Sequence, residues 1–341
     1  MTRDYITGAL LTENEINEIL NEIPDDEPQA ASDFFVRFGL APLYHQGKFF
    51  EALERGHEIL HLIAKINPQK YAQMHKGYAF YFMGMAAYRL HDFQSAIFYI
   101  DATLSEDIKN FPGDPNTPPH LFLRLDGNDP RQAAQPLTQG AQNTIEEYTE
   151  LYNQILQKNN LGIQELTIDD IRSSFLIPSS LDPSASKRSL ASTLITFFLE
   201  FKYRDFQLRL RREPGTNEPM ILHLYKGCLL FESLLKNNPR KQIQGRTLKP
   251  VLLELINELH LDVPNGLDIQ ADTLEDALSS AVVGSDDITS YITVTGKLRN
   301  TLSHNMGWPE QITPEHYLHG FLQISIACLH ALATLYRTTA S

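Results

Sequence analysis

The sequence predicts an all-α protein, and three observations lead to this prediction. Apolar residues recur at helical spacing in many segments, no stretch shows the sustained alternation that strands need, and turn residues separate the helical patterns. A hydrophobic content of 42 % over 341 residues is enough for two ordinary globular domains. We expect a helical repeat-like domain over residues 1–155, a linker over residues 156–188 and a helical bundle over residues 189–341.

The first third contains two similar segments. Gly47–Leu53 and His91–Ile97 align at an offset of 44 residues, and each has a polar turn, an aromatic residue and a small residue that opens an apolar helix. Gly84 and Ala87 are small enough to let adjacent helices approach closely. The pattern resembles tetratricopeptide-type helical hairpins, although its period is longer than the usual value of about 34 residues. The resemblance implies a domain that binds a protein partner or regulates access, and a plain helical bundle is the alternative.

Prolines and polar residues interrupt the middle of the chain. The segment from Phe111 to Gly140 contains six prolines, which predicts an extended excursion rather than a continuous helix. A helical pattern returns from Ile145 to Leu156. From Asn159 to Ser189 the sequence is polar and punctuated by turn residues, which predicts the linker.

The last third carries successive helical patterns. The final one opens with Thr313 as a capping residue, Pro314 at the first helical position and Glu315 in the first turn. The predicted helices cover residues 190–212, 218–237, 247–261, 273–283, 286–304 and 313–337.

The segment Arg299–His304, near the end of this region, contains the groups needed to cleave RNA without a metal. Histidine titrates near neutral pH, so His304 can transfer protons at the 2′-hydroxyl and the departing 5′-oxygen. The guanidinium of Arg299 can hold phosphoryl oxygens in a bidentate fork. Asn300 shares a helical face with His304, where its amide can orient the imidazole. Arg299 and His304 point in different directions on an ideal helix, so they converge only if the helix frays or a second subunit contributes.

This segment resembles the active-site motif of HEPN-domain ribonucleases, in which Arg precedes His by about four to six residues and Asn, Asp or His directly follows the Arg. The helix order around it fits the same family. The resemblance implies a homodimer that brings Arg299 and His304 of both chains into one cleft, with Asn300 positioning them. It further implies cleavage to a 2′,3′-cyclic phosphate and a 5′-hydroxyl without a cofactor, and a role as a toxin or in phage defence. The alternative is a non-catalytic helical scaffold that binds RNA or protein.

Charge is distributed unevenly along the chain. The net charge is −13, yet the segment from Lys187 to Lys249 holds thirteen basic residues against five acidic ones. This asymmetry predicts a polyanion-binding surface in the second half, although a basic run is also typical of an ordinary solvated face. The RNA-binding candidates are Lys202, Arg204, Arg209, Arg211, Arg212, Arg240 and Lys241.

A second motif supports a third hypothesis, a zinc metallopeptidase. His57, Glu58 and His61 form the pattern H-E-x-x-H, which on a helix places two imidazoles on one face to bind zinc and offers Glu as a general base. The equivalent positions of the second similar segment, Asp101 and Ser105, look like ordinary exposed helix positions, which weakens this hypothesis.

The remaining composition favours a reducing compartment. Cys228 and Cys328 are too few for a disulfide framework and lie in apolar patterns, where core thiols are expected. The N-terminus lacks a basic segment followed by an apolar run, and the sequence reads as free of uncharged stretches with the length of a membrane span. We therefore expect a cytoplasmic protein without a membrane partner.

Overall fold

The computed structural model describes residues 2–24, 27–114, 116–126, 134–210, 216–263, 266–283, 287–304 and 312–337. Helices account for 74 % of the structure and strands for 1 %, which confirms the all-α prediction. In the described ranges the strands are β1 (Thr2–Arg3) and β2 (Leu10–Leu11), which pair antiparallel.

The chain divides into two compact units. The N-terminal unit comprises Met1–Thr138 and Ser180–Ser192, and the C-terminal unit comprises Gln139–Ser179 and Thr193–Ser341. This division differs from the predicted boundaries at residues 155 and 188, because much of the predicted linker is helical and part of it packs into each unit.

Polar residues in the predicted linker begin helices instead of forming coil. Thr167 and Asp170 form a capping box, in which the Asp170 amide donates to the Thr167 hydroxyl at 3.1 Å and the Thr167 amide donates to the Asp170 carboxylate at 2.9 Å. The helix continues beyond the box through a π-helical turn, Arg172–Leu176. Side chains that disfavour helix interiors are favoured at helix starts, so polarity alone misidentified this segment.

The N-terminal unit consists mainly of short helices. In its described part they are α1 (Glu13–Glu22), α2 (Pro28–Arg37), α3 (Leu40–His45), α4 (Phe49–Ile66), α5 (Pro68–Gln73), α6 (Gly77–Arg89), α7 (Phe93–Asn110) and α8 (Pro118–Leu123). Helix α9 (Gln135–Asn159) starts in this unit and continues into the other.

The structure confirms the internal similarity at the offset of 44 residues. Gly47 and His91, which occupy equivalent positions, both have positive φ, at 76° and 59°. The next residue of each copy, Lys48 and Asp92, donates its backbone N–H across the turn, to Leu43 at 3.0 Å and to the Ala87 carbonyl at 2.9 Å. Helices α4 and α7 then start at equivalent aromatic residues and have the same length, 18 residues. The tetratricopeptide resemblance itself stays a prediction.

Small residues let neighbouring helices of the two hairpins, α3–α4 and α6–α7, approach closely. A Cβ added at Gly84 would lie 3.2 Å from the side chain of Ile100, as expected for a helix contact residue. A Cβ at Gly56 would lie 2.5 Å from the sulfur of Met83, so this unpredicted glycine is the tighter of the two contacts.

The proline-rich segment is less extended than predicted. Residues 118–123 form α8, with Pro118 and Pro119 in its first turn, and Pro136 lies in the first turn of α9. Proline is tolerated there because the first amides of a helix have no intrahelical acceptor. Residues 115 and 127–133 lie outside the described ranges.

The C-terminal unit is a bundle of longer helices. After α9, the described helices are α10 (Ile168–Ile171), α11 (Ile177–Leu181), α12 (Ala185–Leu210), α13 (Glu218–Lys236), α14 (Leu248–Glu254), α15 (Leu274–Val283), α16 (Ile288–His304) and α17 (Pro314–Ala331). Helix α12 begins in the N-terminal unit. Most bounds agree with prediction to within a few residues, except that α14 ends early and is followed by turns up to His260.

Helix α17 forms the centre of this bundle. It packs against α13, α15 and α16, and a π-helical turn, Leu332–Tyr336, prolongs it. The combined segment Pro314–Tyr336 is long and apolar enough to cross a membrane, contrary to the reading of the sequence, and 83 % of its most apolar window is buried within the protein. A central core helix has the same composition.

Two histidines of the bundle are fully buried, and each bonds to one tyrosine hydroxyl and one backbone carbonyl. His223 donates from Nε2 to the Phe197 carbonyl at 2.8 Å and accepts at Nδ1 from the Tyr317 hydroxyl at 2.7 Å. His330 donates from Nε2 to a backbone carbonyl at 2.8 Å and accepts at Nδ1 from Tyr152 at 3.1 Å. Burial lowers the pKa of His223 to about 3, although the nearby carboxylate of Glu200 opposes this, and burial lowers the pKa of His330 to about 4. Both rings are therefore neutral in the folded protein.

Candidate ribonuclease site

Helix α16 carries the Arg299–His304 segment and is held by packing, as its poor helix propensity requires. The apolar residues that recur at helical spacing on α16 form a seam, which is buried from Ile288 to Leu298 and half-buried at Leu302. Thr295 and Thr301 donate their hydroxyls to the carbonyls four residues earlier, at 2.8 and 2.9 Å, so these polar side chains are satisfied inside the helix. Arg299 and Asn300 lie beside the seam and are partly exposed.

Arg299 is fixed by an ion pair with a residue from another helix. Its Nε lies 2.6 Å from Oε2 of Glu232 on α13, and Lys236 approaches Oε1 of the same carboxylate at 2.5 Å. Glu232 is buried, with 7 % of its side chain exposed, and burial alone raises its pKa. The two cations outweigh that effect, so the pKa of Glu232 lies below its ordinary value and the carboxylate stays charged.

Asn300 holds Arg299 from the other side. Its amide nitrogen donates to the Ile269 carbonyl at 2.9 Å, and its amide oxygen accepts from Nη1 of Arg299 at 3.3 Å. The same Nη1 reaches the Ser303 hydroxyl at 3.5 Å. The Asn300 amide therefore orients the guanidinium.

Arg299 and Asn300 open onto a cleft of about 520 Å³. The cleft also contains the exposed ammonium of Lys249 and the exposed carboxylate of Asp272. Nη2 of Arg299 has no acceptor among the described residues. A guanidinium edge and an ammonium at one cleft are suited to bind a phosphate oxygen.

The floor of the cleft depends on a close contact between Gly296 and Ile269. A Cβ at Gly296 would lie 2.7 Å from Cγ2 and 2.9 Å from Cβ of Ile269, whose carbonyl holds Asn300. We expect Gly296→Ala to destabilise the protein by about 1–2 kcal/mol, because overpacking outweighs the gain in helix propensity. Urea unfolding of Gly296→Ala and of Gly140→Ala, whose added Cβ would make only an ordinary contact at 3.6 Å, measures the difference. Equal stability of the two variants would contradict this account.

His304 is the last residue of α16. Its backbone continues the helix that carries Arg299 and Asn300, one turn beyond Asn300, while its side chain and residues 305–311 lie outside the described part of the chain. The predicted pairing of His304 with Arg299 therefore stays a prediction.

The predicted RNA-binding residues that the structure describes do not line this cleft. Three of them are engaged by nearby acids instead. The pairs are Arg204 with Glu200 at 2.7 Å, Arg209 with Asp205 at 2.8 Å and Lys241 with Glu258 at 2.8 Å. Arg240 donates to the Arg337 carbonyl, Lys202 is exposed, and Arg211 and Arg212 lie outside the described ranges. The first three side chains are thus paired with carboxylates, and beside Arg299 the further cation among the described lining residues of the cleft is Lys249.

Sequence reasoning missed Glu232 and Lys249. Glu232 had a detectable signal, because it is an acidic residue on an otherwise apolar face of α13 with a lysine four residues later. Lys249 had none, since a lysine in the first turn of a helix is ordinary and only tertiary structure places it at the cleft.

The H-E-x-x-H pattern lies on an exposed face of α4. The ring of His57 contacts the Tyr99 hydroxyl, and Glu58 pairs with Arg55 at 3.2 Å. Within the described residues, no group of three or more His, Cys, Asp or Glu is arranged to hold a metal ion. The geometry of His57 and His61 therefore gives the zinc hypothesis no support.

Asp101 and Ser105, which lie 44 residues after His57 and His61 on the second hairpin, have a structural role. Arg188 donates to the Asp101 carboxylate at 2.9 Å and to the Ser105 hydroxyl at 2.7 Å, so these residues are not the ordinary exposed positions that the sequence suggested.

Comparison of the chain with family models, curated proteins and solved structures found no match. The function proposed below therefore depends on the residues and geometry of the cleft and on the motif resemblance.

Proposed function

We propose that this protein is a metal-independent endoribonuclease whose site is built around Arg299, Asn300 and His304. The observation that carries the proposal is the placement of Arg299 and Asn300 on one open cleft with Lys249, at the end of the helix that terminates in His304. In the HEPN-type arrangement that the motif resembles, two chains pair through this unit and RNA binds in the shared cleft.

The reaction uses proton transfer and charge stabilisation. The 2′-oxygen attacks the adjacent phosphorus and loses its proton, a new P–O2′ bond forms, and the P–O5′ bond breaks as the 5′-oxygen gains a proton. His304 serves these proton transfers, and Arg299 stabilises the negative charge that gathers on the phosphoryl oxygens. Asn300 keeps the guanidinium oriented through its contact at 3.3 Å. The products are a 2′,3′-cyclic phosphate and a 5′-hydroxyl.

The surroundings of Arg299 suit this role. Its Nε side is held by Glu232 at 2.6 Å, which fixes the plane of the guanidinium, while Nη2 has no acceptor within the described chain. A guanidinium fixed before the substrate arrives needs no reorganisation during the reaction. A cytoplasmic role as a toxin or in phage defence extends the proposal on the strength of the resemblance alone.

Cleavage of labelled single-stranded RNA by the full-length protein in EDTA tests the proposal. We expect cleavage with 2′,3′-cyclic phosphate ends, and a loss of about 10²- to 10⁴-fold in His304→Ala, because a positioned general acid–base group contributes about that factor. His61→Ala is the matched control, since this exposed histidine lies on α4 and does not line the cleft. Cleavage that chelation abolishes, or that His304→Ala leaves intact, would overturn the proposal.

One observation favours a second function, a non-catalytic helical scaffold. The ion pair between Arg299 and Glu232 joins α13 to α16, so Arg299 also has a structural role, and Asp272 makes the cleft less uniformly positive. A protein that binds RNA without cutting it in any preparation would support this alternative.

A further inference from the structure

Lys236 connects two parts of the cleft that contains Arg299. Its Nζ lies 2.5 Å from Oε1 of Glu232, and Oε2 of the same carboxylate lies 2.6 Å from Nε of Arg299. The Lys236 ammonium also donates to the Arg246 carbonyl at 2.8 Å. This lysine of α13 is therefore linked through Glu232 to the guanidinium on α16, and directly to the segment that leads into α14.

The segment that Lys236 reaches, residues 244–249, forms part of the cleft lining. Three of its residues line the cleft, namely Thr247, Leu248 and Lys249. Arg299 lines the same cleft from α16. The Arg246 carbonyl directly precedes these lining residues, so the bond from Lys236 contributes to the position of Lys249 relative to Arg299.

Two further contacts hold residues 244–249 in place. The backbone N–H of Gln244 donates to the Glu254 carboxylate at 3.0 Å. A Cβ at Gly245 would lie 2.9 Å from the backbone nitrogen of Val251, and backbone cannot move aside as a flexible side chain can. The segment is thus packed closely onto the start of α14, and Lys236 ties it to α13.

Lys249 is suited to bind the backbone of an RNA strand. Its ammonium is exposed and pairs with no carboxylate within the described part of the chain. In the proposed reaction Arg299 faces the scissile phosphate, and single-stranded RNA carries a further negative charge on each neighbouring nucleotide. A contact with a phosphate that does not react strengthens binding equally in the ground state and in the transition state.

We propose that Lys249 binds a phosphate next to the scissile one, and that Lys236 is a positioning residue that aligns Lys249 and Arg299 on one RNA strand. The inference rests on the proposed ribonuclease function, and it specifies the substrate as an oligonucleotide with a phosphate beside the cleaved linkage. Lys236 does not line the cleft, so it acts through the position of residues 244–249.

Salt titrations of RNA binding, together with cleavage kinetics, test the role of Lys249 in the full-length protein. Binding of a single-stranded oligoribonucleotide is measured in the His304→Ala background, which prevents turnover. Lys249→Met is expected to weaken binding about five- to tenfold and to lower the slope of log affinity against log salt by about 0.7, the value for one phosphate contact on a single strand. In the cleaving protein KM should rise while kcat stays within about twofold.

A double-mutant cycle tests the role of Lys236. Lys236→Met is expected to weaken RNA binding as Lys249→Met does, and the double variant should bind no more weakly than Lys249→Met alone, because Lys236 acts through Lys249. Lys226→Met is the matched control. Lys226 lies on the same helix and likewise pairs with a buried glutamate, Glu200, that an arginine also binds, but it does not line the cleft. It is expected to leave RNA affinity and the salt slope unchanged.

Should Lys236→Met fail to fold, Gly245→Ala takes its place, because the added Cβ must displace the same segment and is expected to weaken RNA binding in the same way. Absence of cleavage by the wild type would refute the ribonuclease proposal itself. The present inference fails separately. Absence of RNA binding, an unchanged salt slope in Lys249→Met, a fall in kcat instead of a rise in KM, or additive effects of the two lysine variants would overturn it.

Discussion

Replacing Arg299 with lysine is expected to lower RNA cleavage about a hundredfold while leaving the fold nearly as stable as before. Lysine keeps a positive charge beside Glu232, whose carboxylate lies 2.6 Å from the guanidinium and also binds Lys236. It cannot offer a planar fork to two phosphoryl oxygens, and losing one such electrostatic contact typically costs about 10²- to 10³-fold in rate. Urea unfolding and cleavage rates, measured on the same preparations, separate the two effects.

Arg299→Ala provides the comparison. It removes the fork and also one of the two cations that compensate the buried Glu232, so stability is expected to fall by about 1–3 kcal/mol in addition to the loss of cleavage. If the lysine variant cleaves RNA as fast as the wild type, Arg299 acts as a structural ion-pair partner, and the scaffold function becomes the better account.

Acidification from pH 8 to pH 5 is expected to remove about 4 kcal/mol from the stability of the C-terminal unit. His223 and His330 are fully buried, with their pKa values lowered to about 3 and about 4. In the unfolded chain both bind protons near the ordinary pKa of about 6.5, so the unfolded state gains protons first as the pH falls. Each residue then costs about 1.4 kcal/mol per pH unit below 6.5, which gives about 2 kcal/mol each at pH 5.

The direction and range of this effect follow from the lowered pKa values. Stability is complete above pH 6.5 and declines until the folded-state pKa of each histidine is reached, near pH 4 for His330 and pH 3 for His223. The pKa values of Glu200 and Glu232 are also lowered, against the effect of their burial, by neighbouring cations. These cations are Lys226 and Arg204 for Glu200, and Lys236 and Arg299 for Glu232. The stabilising contribution of the two carboxylates is lost as the pH falls below the ordinary carboxyl pKa and through the lowered folded-state pKa, in the same direction.

Hydrogen exchange of α13 and α17, measured with urea titrations at several pH values, tests this prediction. His330→Gln removes one of the two titrating groups, so we expect a lower stability at pH 7 but about half the slope between pH 6.5 and pH 5. His61→Gln, at an exposed position, is the control and should keep the full slope. A flat pH profile of the wild type in this range would contradict the neutral, buried state of both rings.

Local sequence patterns were sufficient for much of the fold. The start of α4 and of α7, the buried seam of α16 and the Thr313 cap of α17 all depend on residues close together in the chain. The turn residues and helical periodicity of each segment therefore specified them without tertiary information.

Long-range partners could not be predicted in this way. Arg299 meets Glu232 across 67 positions and Arg188 meets Asp101 across 87, so their neutralisation depends on how helices pack. A count of charges along the chain therefore does not tell which basic side chains are already paired. Between residues 156 and 188 helix is underestimated from the sequence. Polar residues such as Thr167 suggest coil there, whereas Thr167 caps the start of a helix.

The two hairpins of the N-terminal unit use one structural plan for different purposes. In the first hairpin, Ile59 and Ile63 are wholly buried on α4 and seal the interior. The positions 44 residues later on α7 are Thr103 and Asp107, which line a recess of about 430 Å³ together with His75. The second hairpin thus has side chains that can form hydrogen bonds at the positions where the first has buried aliphatic side chains. Repetition of one hairpin therefore allows the second copy to carry polar groups in its interior while the first copy keeps an apolar core.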